Sequence, residues 1–523
     1  MKTIWHSGTF YTMEEEGQRV EALLTDNDKI IAMGTYEELK GQANNEVNLQ
    51  GTVLYPGFVD SHMHMIMHGE KLLGLDLSRA NTADEVMDTL LASHKDLSAD
   101  EWFLGDGWNE NNYPDKKIFT RYELDKVTDS PMLLRRACRH VGVANSKALE
   151  LAGITKDTPN PADGVFVRDA NGEATGLLLE GAVNVISDLI PEPTVESLKN
   201  ALRSAADDLL SLGLTGAVTD DLGYTDDYHD ALQAYNDVIG PEKKFRAHLL
   251  KRSTIFAQIM EDEATYNGPW VEPGGLKFFI DGALGGKTAL LSNPYSDTPE
   301  TSGMTVLTDD EINDLVVLAR KYGEAVAIHV IGDAAAEKAL DAIEKNPVPQ
   351  GKLDRFIHVN VLRDDLVERM AKLPIVLDLQ PIFVSSDFPW VMDRLGEERL
   401  DWAYAWKSLL DRGFICGGGS DAPVEEVDPL LGIYAGVTRR KPGETHEGYL
   451  PDEKLSRFES VGLFTTGSAA SIGKENSRGK LAIGFDADFT VLDIDLFEVE
   501  EDEEILGAKV VMTVVGGEVM FKK

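Results

Sequence analysis

Tyr55-Pro56-Gly57-Phe58-Val59-Asp60-Ser61-His62-Met63-His64 is an apolar run that ends in two histidines spaced i, i+2. In a β-strand, side chains two apart point to the same face, so His62 and His64 can offer both imidazoles to one metal ion. Pro56-Gly57 punctuates the start of that strand. Neutral imidazole is the commonest protein ligand for zinc and its neighbours. A lone His-x-His arises by chance, so the rest of the chain has to supply the other half of such a site.

From about Thr215 onward, short β-branched runs alternate with segments of helical period. The runs are Gly216–Thr219, Phe245–Leu250, Leu276–Ile280, Ala325–Val330, Arg355–Val359, Ile375–Leu379 and Phe414–Cys416. Amphipathic stretches such as Asp309–Tyr322, Ala334–Lys345 and Asp364–Leu373 lie between them. Strands separated by helices imply parallel pairing through right-handed crossovers. With the run ending at His64 the count is eight, which predicts an α/β protein built on a (β/α)8 TIM barrel over about 56–474. Residues from about 65 to 214 are too many for one crossover and predict an insertion after the first barrel strand, lying over the barrel mouth. Both chain ends look like β-structure: Ile30–Gly34 and Val47–Leu54 before the barrel, Asp488–Asp493 and Val510–Phe521 after it. Residues 1–55 and 475–523 are therefore expected to meet in one small β-sandwich.

With 43% hydrophobic and 27% charged residues, the 523-residue chain has an ordinary globular composition. It has no apolar run of about 18 residues, which argues against a transmembrane helix, and no N-terminal secretory pattern. Its two cysteines, Cys138 and Cys416, sit in apolar runs and read as buried free thiols in a reducing cytoplasm. Fifty basic against 90 acidic residues give a net charge of −40. Such a surface repels phosphate backbones and anionic bilayers, so nucleic acid and membrane partners are not expected. A small-molecule substrate is, with a homodimer as the default assembly.

Functional groups of a barrel gather at the C-terminal ends of its strands. There the fourth run carries Lys277, the fifth ends in His329, the sixth in His358, and the eighth runs into Gly417-Gly418-Gly419-Ser420-Asp421. Chance does not place ligand types so regularly. The set His62, His64, Lys277, His329, His358 and Asp421 resembles the signature of the amidohydrolase superfamily. Asp281-Gly282-Ala283-Leu284-Gly285, His329-Val330-Ile331-Gly332-Asp333, His140 with Asn145–Leu149, and Thr175–Glu180 are similar to its YtcJ-like, N-substituted formamide deformylase-like branch (amidohydrolase family 3). Gly479–Phe489 resembles the family's return into the small β domain.

The resemblance implies a metal-dependent hydrolase of a C–N bond, of amide or N-formyl type. A divalent cation held by imidazoles and carboxylates lowers the pKa of bound water and polarises a carbonyl. Asp421 would take the proton of that hydroxide and deliver it to the leaving amine. Zinc is the first choice, as one ion or two; iron, manganese, cobalt and nickel suit the same ligands. Protonated Lys277 would repel a metal and could equally form a salt bridge; the family pattern has this lysine carboxylated and bridging two ions. Glu180 could donate a carboxylate instead, or simply start a helix.

His140 and Glu180 from the insertion could contact substrate, and Trp108 could wall the pocket or fill a core. Asp333 could orient His329 or cap the next helix. Deamination of a heterocycle or opening of a cyclic amide would use the same residues. A metal-binding protein without catalysis is the remaining alternative, although no ligand of the set is missing.

Overall fold

The computed structural model describes residues 1–93, 102–136, 141–161 and 164–523. Cys138 and His140 lie outside the described residues. The chain forms two compact units, one of Met1–His68 with Leu198–Lys523 and one of Gly69–Ser197.

The first unit contains the barrel. Its strands are β1 (Phe58–Met63), β2 (Leu214–Thr219), β3 (Arg246–Arg252), β4 (Val271–Phe279), β5 (Val326–Val330), β6 (Asp354–His358), β7 (Ile375–Leu379) and β8 (Ile415–Gly418). They form one parallel sheet in chain order. The register sets Lys277 beside Ala327, Phe279 beside His329, and Val330 beside His358. β8 returns to β1 through the loop that follows it: Asp421 N donates to His62 O at 2.8 Å and His64 N to Ala422 O at 2.7 Å. Gly57 leads into β1 because a Cβ there would sit 2.3 Å from Thr215 Oγ1 of β2.

Alternation along these strands divides them into two faces, both buried as in other parallel barrels. Ala217, Leu249, Leu276, Ile328, Phe356 and Leu377 join the large core with the helices. Val218, Leu250, Ala327 and Ile357, one residue on or back, form a separate cluster inside the barrel. The same inward parity carries Asp220, Arg252, Lys277, His329, Asp378 and Gln380. Sequence periodicity thus explains why these six side chains face inward.

Two helices that follow the strands match their expected amphipathic stretches closely, Asp309–Lys321 and Asp333–Lys345; the third, Asp364–Met370, ends earlier than the stretch read to Leu373. Thr308 and Glu311 form a capping box at the first. The helix Val195–Ser211 ahead of β2 sends Leu198, Leu202, Ala205 and Leu209 into the large core at helical spacing. The separately compact unit is therefore shorter than the expected 65–214, because this helix packs with the barrel.

The two chain ends meet as expected, in one hydrogen-bonded sheet of eight strands. Its central pairing is antiparallel, Val53–Pro56 against Phe489–Leu492, with Thr490 opposite Tyr55. Trp5, Phe10, Leu54, Phe489, Val491 and Val514 form its own core. The second unit has a six-stranded sheet among the described residues, and Trp108, Phe119, Met132 and Leu134 pack within it. Cys416 is a buried free thiol. Among the described residues, no helix is long and apolar enough to cross a membrane.

Candidate metal centre

His62 and His64 leave β1 toward the same point. His62 Nε2 lies 3.5 Å and His64 Nε2 3.3 Å from one oxygen, Oδ1 of Asp421. These three ligand atoms lie within 4.8 Å of one another. The His62 ring is 5.7 Å from that of His358, which is 4.4 Å from that of His329. Lys277 is fully buried, with Nζ 4.7 Å over the ring of Phe279; that ring lies 5.1 Å from His329. The structure thus brings His62, His64 and Asp421 within ligand distance, sets His329 and His358 beside them, and places Lys277 on the same inward face.

Local backbone strain marks two of these strand ends. By alternation with Phe356, His358 should face outward, but its φ is 80° and that of Val359 is 44°. Asp421 has φ 58°. Left-handed backbone costs such residues roughly 1–3 kcal/mol each and persists only where surrounding contacts over-determine it. Here it turns His358 and Asp421 toward the site. Gly419 permits the approach of β8 to β1: a Cβ there would lie 2.7 Å from His62 N and 2.8 Å from Asp60 Oδ1. Gly419→Ala is expected to destabilise the protein by about 1–3 kcal/mol and to weaken metal binding. Denaturant unfolding with metal assay checks this, and unchanged values for both would refute the packing argument.

Hydrogen bonds aim the ligands. His358 Nδ1 is 2.8 Å from Gln380 Oε1, and His329 Nε2 is 3.0 Å from Gly282 O. Asp60 accepts from His62 N at 3.0 Å and from Ser420 Oγ at 2.6 Å. Burial raises the Asp60 carboxyl to about 7 despite those donors. Ser420 Oγ, which donates to Asp60, also accepts from Ala422 N at 3.0 Å, so the hydroxyl braces the turn after β8. Asp281 accepts backbone N–H bonds from Leu290, Ile331 and Gly332, fastening the loops after β4 and β5.

The electrostatics separate the imidazoles. Burial and the Lys277 charge push His329 down to about 3; burial, then Lys277 and His64, hold His62 well below the usual histidine range. Burial, then His329 and Lys277, does the same to His358. These three are neutral, as metal ligands must be. Burial also draws His64 down, but the Asp220 and Asp421 carboxylates outweigh it and hold His64 at about 10. Burial lowers Lys277 to about 8, against the pull of Asp220 and Asp421.

His62 Nδ1, Lys277 Nζ, Asp220 Oδ1 and Asp421 Oδ1 are buried without a hydrogen-bond partner. Each orphaned group costs roughly 1–3 kcal/mol, and here carboxylate oxygens and imidazoles share one small volume. A divalent cation would satisfy Asp421 Oδ1 and the imidazole nitrogens that converge on it, so these residues fit a metal, whereas an ammonium at Lys277 would not be met by it.

The other expected site residues fare differently. Trp108 is fully buried, its Nε1–H donates to Leu134 O at 3.3 Å, and its ring lies 5.6 Å from Phe119. It packs in the core of its own unit. Glu180 ends the strand Ala174–Glu180, is exposed, has φ 52°, and precedes the helix Gly181–Ser187. Asp333 starts the helix after β5 and takes hydrogen bonds from Ser292 N and Oγ and from Arg363. It fastens a loop instead of orienting His329.

Three site residues escaped the sequence reading. Asp220 follows β2, Arg252 ends β3 and Gln380 follows β7. The same inspection of strand ends, extended to β2, β3 and β7, would have reached these positions, but their common residue types would not have marked them.

The family model described as "Amidohydrolase family" matches residues 45–521. The Bacillus subtilis (strain 168) protein YtcJ, named as an amidohydrolase, is 45% identical over 100% of both chains. The N-substituted formamide deformylase of Arthrobacter pascens is 27% identical over 98% of this chain and 97% of its own. A solved structure of an uncharacterized metal-dependent hydrolase from Pyrococcus furiosus aligns at a TM-score of 0.80 with 31% identity, covering 95% of this chain and 100% of that one. A parallel eight-stranded barrel with histidines and an aspartate converging at its mouth, and a match over nearly the whole chain, lead to one assignment: this chain belongs to the amidohydrolase family.

Proposed function

We propose that the protein is a metal-dependent hydrolase that cleaves a C–N bond of a small molecule, of amide or N-formyl type. The observation that carries the reading is the convergence of His62 Nε2 and His64 Nε2 on Asp421 Oδ1, beside two further neutral histidines. Similarity to the Arthrobacter pascens protein, named as an N-substituted formamide deformylase, supports the bond class. Zinc suits the imidazole-rich set best.

His62, His64, His329, His358 and Asp421 would hold the metal, with Lys277 buried on the same inward face of the barrel. When bound, the metal supplies an activated water and polarises the substrate carbonyl. Asp421 then acts as the proton shuttle: its carboxylate takes the proton of the attacking water and returns it to the nitrogen that leaves. Departure of an amine as an anion is prohibitive, so this return step is required. We further propose that Lys277 is carboxylated and would then be an anionic ligand for the metal, as one ion or two. Burial at about 8 leaves a neutral fraction of the amine near physiological pH, and a neutral amine is the form that adds carbon dioxide.

A chelator-sensitive screen of formamides, amides, lactams and aminated heterocycles tests the assignment. Turnover of an N-formyl or amide compound that stops on chelation supports it. Turnover of heterocycles alone would replace it with a deaminase. The His64 charge adds a pH test. In the metal-free protein His64 keeps its proton up to about 10, so metal must displace that proton. Apparent zinc affinity should therefore rise about tenfold per pH unit between about 6 and 8. Competition titration measures it, and a flat profile would show that His64 is not displaced.

A further inference from the structure

Asp220 is fully buried at the end of β2, and its two oxygens face different partners. Oδ1 lies 2.7 Å from His64 Nδ1, and Oδ2 lies 3.0 Å from Arg252 Nη2. No other donor reaches Oδ1, and the imidazole meets it at ion-pair distance rather than as an aligned hydrogen bond. Arg252 is itself held. Its guanidinium lies 5.5 Å over the Phe279 ring, and Gly223 leaves it room, since a Cβ there would come within 2.7 Å of Arg252 Cδ.

We infer that Asp220, braced by Arg252, is a positioning residue that commits His64 to metal ligation through Nε2. The inference rests on the metal reading above. An imidazole binds a metal through the nitrogen that lacks a proton, and the partner of the other nitrogen decides which one that is. A lone pair on Nδ1 would face a carboxylate oxygen at 2.7 Å and be repelled, so Nδ1 carries the proton. Nε2, 3.3 Å from Asp421 Oδ1 where His62 Nε2 also converges, is then the nitrogen whose proton a metal would displace. His358 shows the same arrangement with a neutral acceptor, its Nδ1 being 2.8 Å from Gln380 Oε1. The β1 ligand has a carboxylate in that place, and the carboxylate has a cation behind it. The chain His64–Asp220–Arg252 thus ties the ends of β1, β2 and β3 together.

Asp220 has a competing role as a ligand in its own right, because atoms of His64, Asp220 and Asp221 also lie within 4.8 Å of one another. A double-mutant cycle on the full-length protein separates the two roles. The zinc dissociation constant is measured by competition with a chromophoric chelator for the wild type, Asp220→Ala, Asp220→Asn, His64→Ala and the double variant Asp220→Ala/His64→Ala. Asp220→Ala is expected to weaken zinc binding by about 10–100-fold, the range for partners behind a metal ligand. Asp220→Asn, whose amide oxygen keeps an acceptor facing Nδ1, should recover most of that loss. In the His64→Ala background, Asp220→Ala should add less than about twofold.

Undiminished zinc binding by Asp220→Ala would overturn the inference. So would the full loss persisting without His64, which would make Asp220 a ligand itself. If Asp220→Ala does not fold, Arg252→Met reads the same brace: several-fold weaker zinc binding that disappears in the His64→Ala background. Wild-type zinc affinity in His64→Ala alone would instead overturn the metal reading, so the two failures are distinguishable.

Discussion

Asp421→Asn should lower turnover of any compound the wild-type protein hydrolyses by about 10²–10⁴-fold, the usual contribution of a positioned general acid–base group. The amide keeps the size of the carboxylate but cannot take up and return a proton. Asp421 N still donates to His62 O, so the closure of β8 on β1 survives the change. With zinc kept saturating, the unfolding temperature should therefore stay near the wild-type value, and the loss should fall on kcat rather than on KM. Steady-state kinetics alongside thermal unfolding check this. Full activity in a folded Asp421→Asn protein would remove Asp421 from proton transfer.

Stripping the metal should have the second large effect, on activity and on stability together. Chelation is expected to abolish turnover, and added zinc to restore it. The cation binds the folded state, so at 100 to 1,000 times its dissociation constant it contributes about 2.7–4.1 kcal/mol. The unfolding temperature should fall on chelation and recover on reloading. The loss is physically reasonable in this site. Without a cation, Asp421 Oδ1 is left buried with no hydrogen-bond partner beside two imidazoles. Chelation that left both activity and unfolding unchanged would mean that these groups serve some other end.

The barrel was legible in the sequence because its strands are buried on both faces and its helices on one. The runs from Gly216 to Cys416 and the stretches between them therefore stand out. The histidines on β1, β5 and β6 were legible for a different reason: imidazole is rare, and its repetition at strand ends is informative. Asp220, Arg252 and Gln380 sit at equivalent positions but belong to common residue types. Only distances such as the 2.7 Å from Asp220 to His64 single Asp220 out. His358 was found for its residue type although alternation along β6 sends it outward; the positive φ that turns it inward has no sequence signal.

Trp108 was ambiguous for the opposite reason, since a large aromatic suits a core and a pocket wall equally well. Burial decided for the core. The helix Val195–Ser211 was assigned to the insertion because it precedes the β2 run in sequence. Its apolar stripe matched the barrel, which only packing reveals.

The metal centre is the claim on which the rest depends, and metal content per chain measures it directly. Plasma mass spectrometry on protein purified without chelator should find a divalent ion in the wild type and none in His62→Ala/His64→Ala. Near two equivalents, falling to one or none in Lys277→Ala, would agree with a carboxylated Lys277 bridging a pair of ions. One equivalent, unchanged in Lys277→Ala, would leave the metal centre standing with a single ion. A wild-type protein that carries no divalent metal and takes up no added zinc would contradict the assignment.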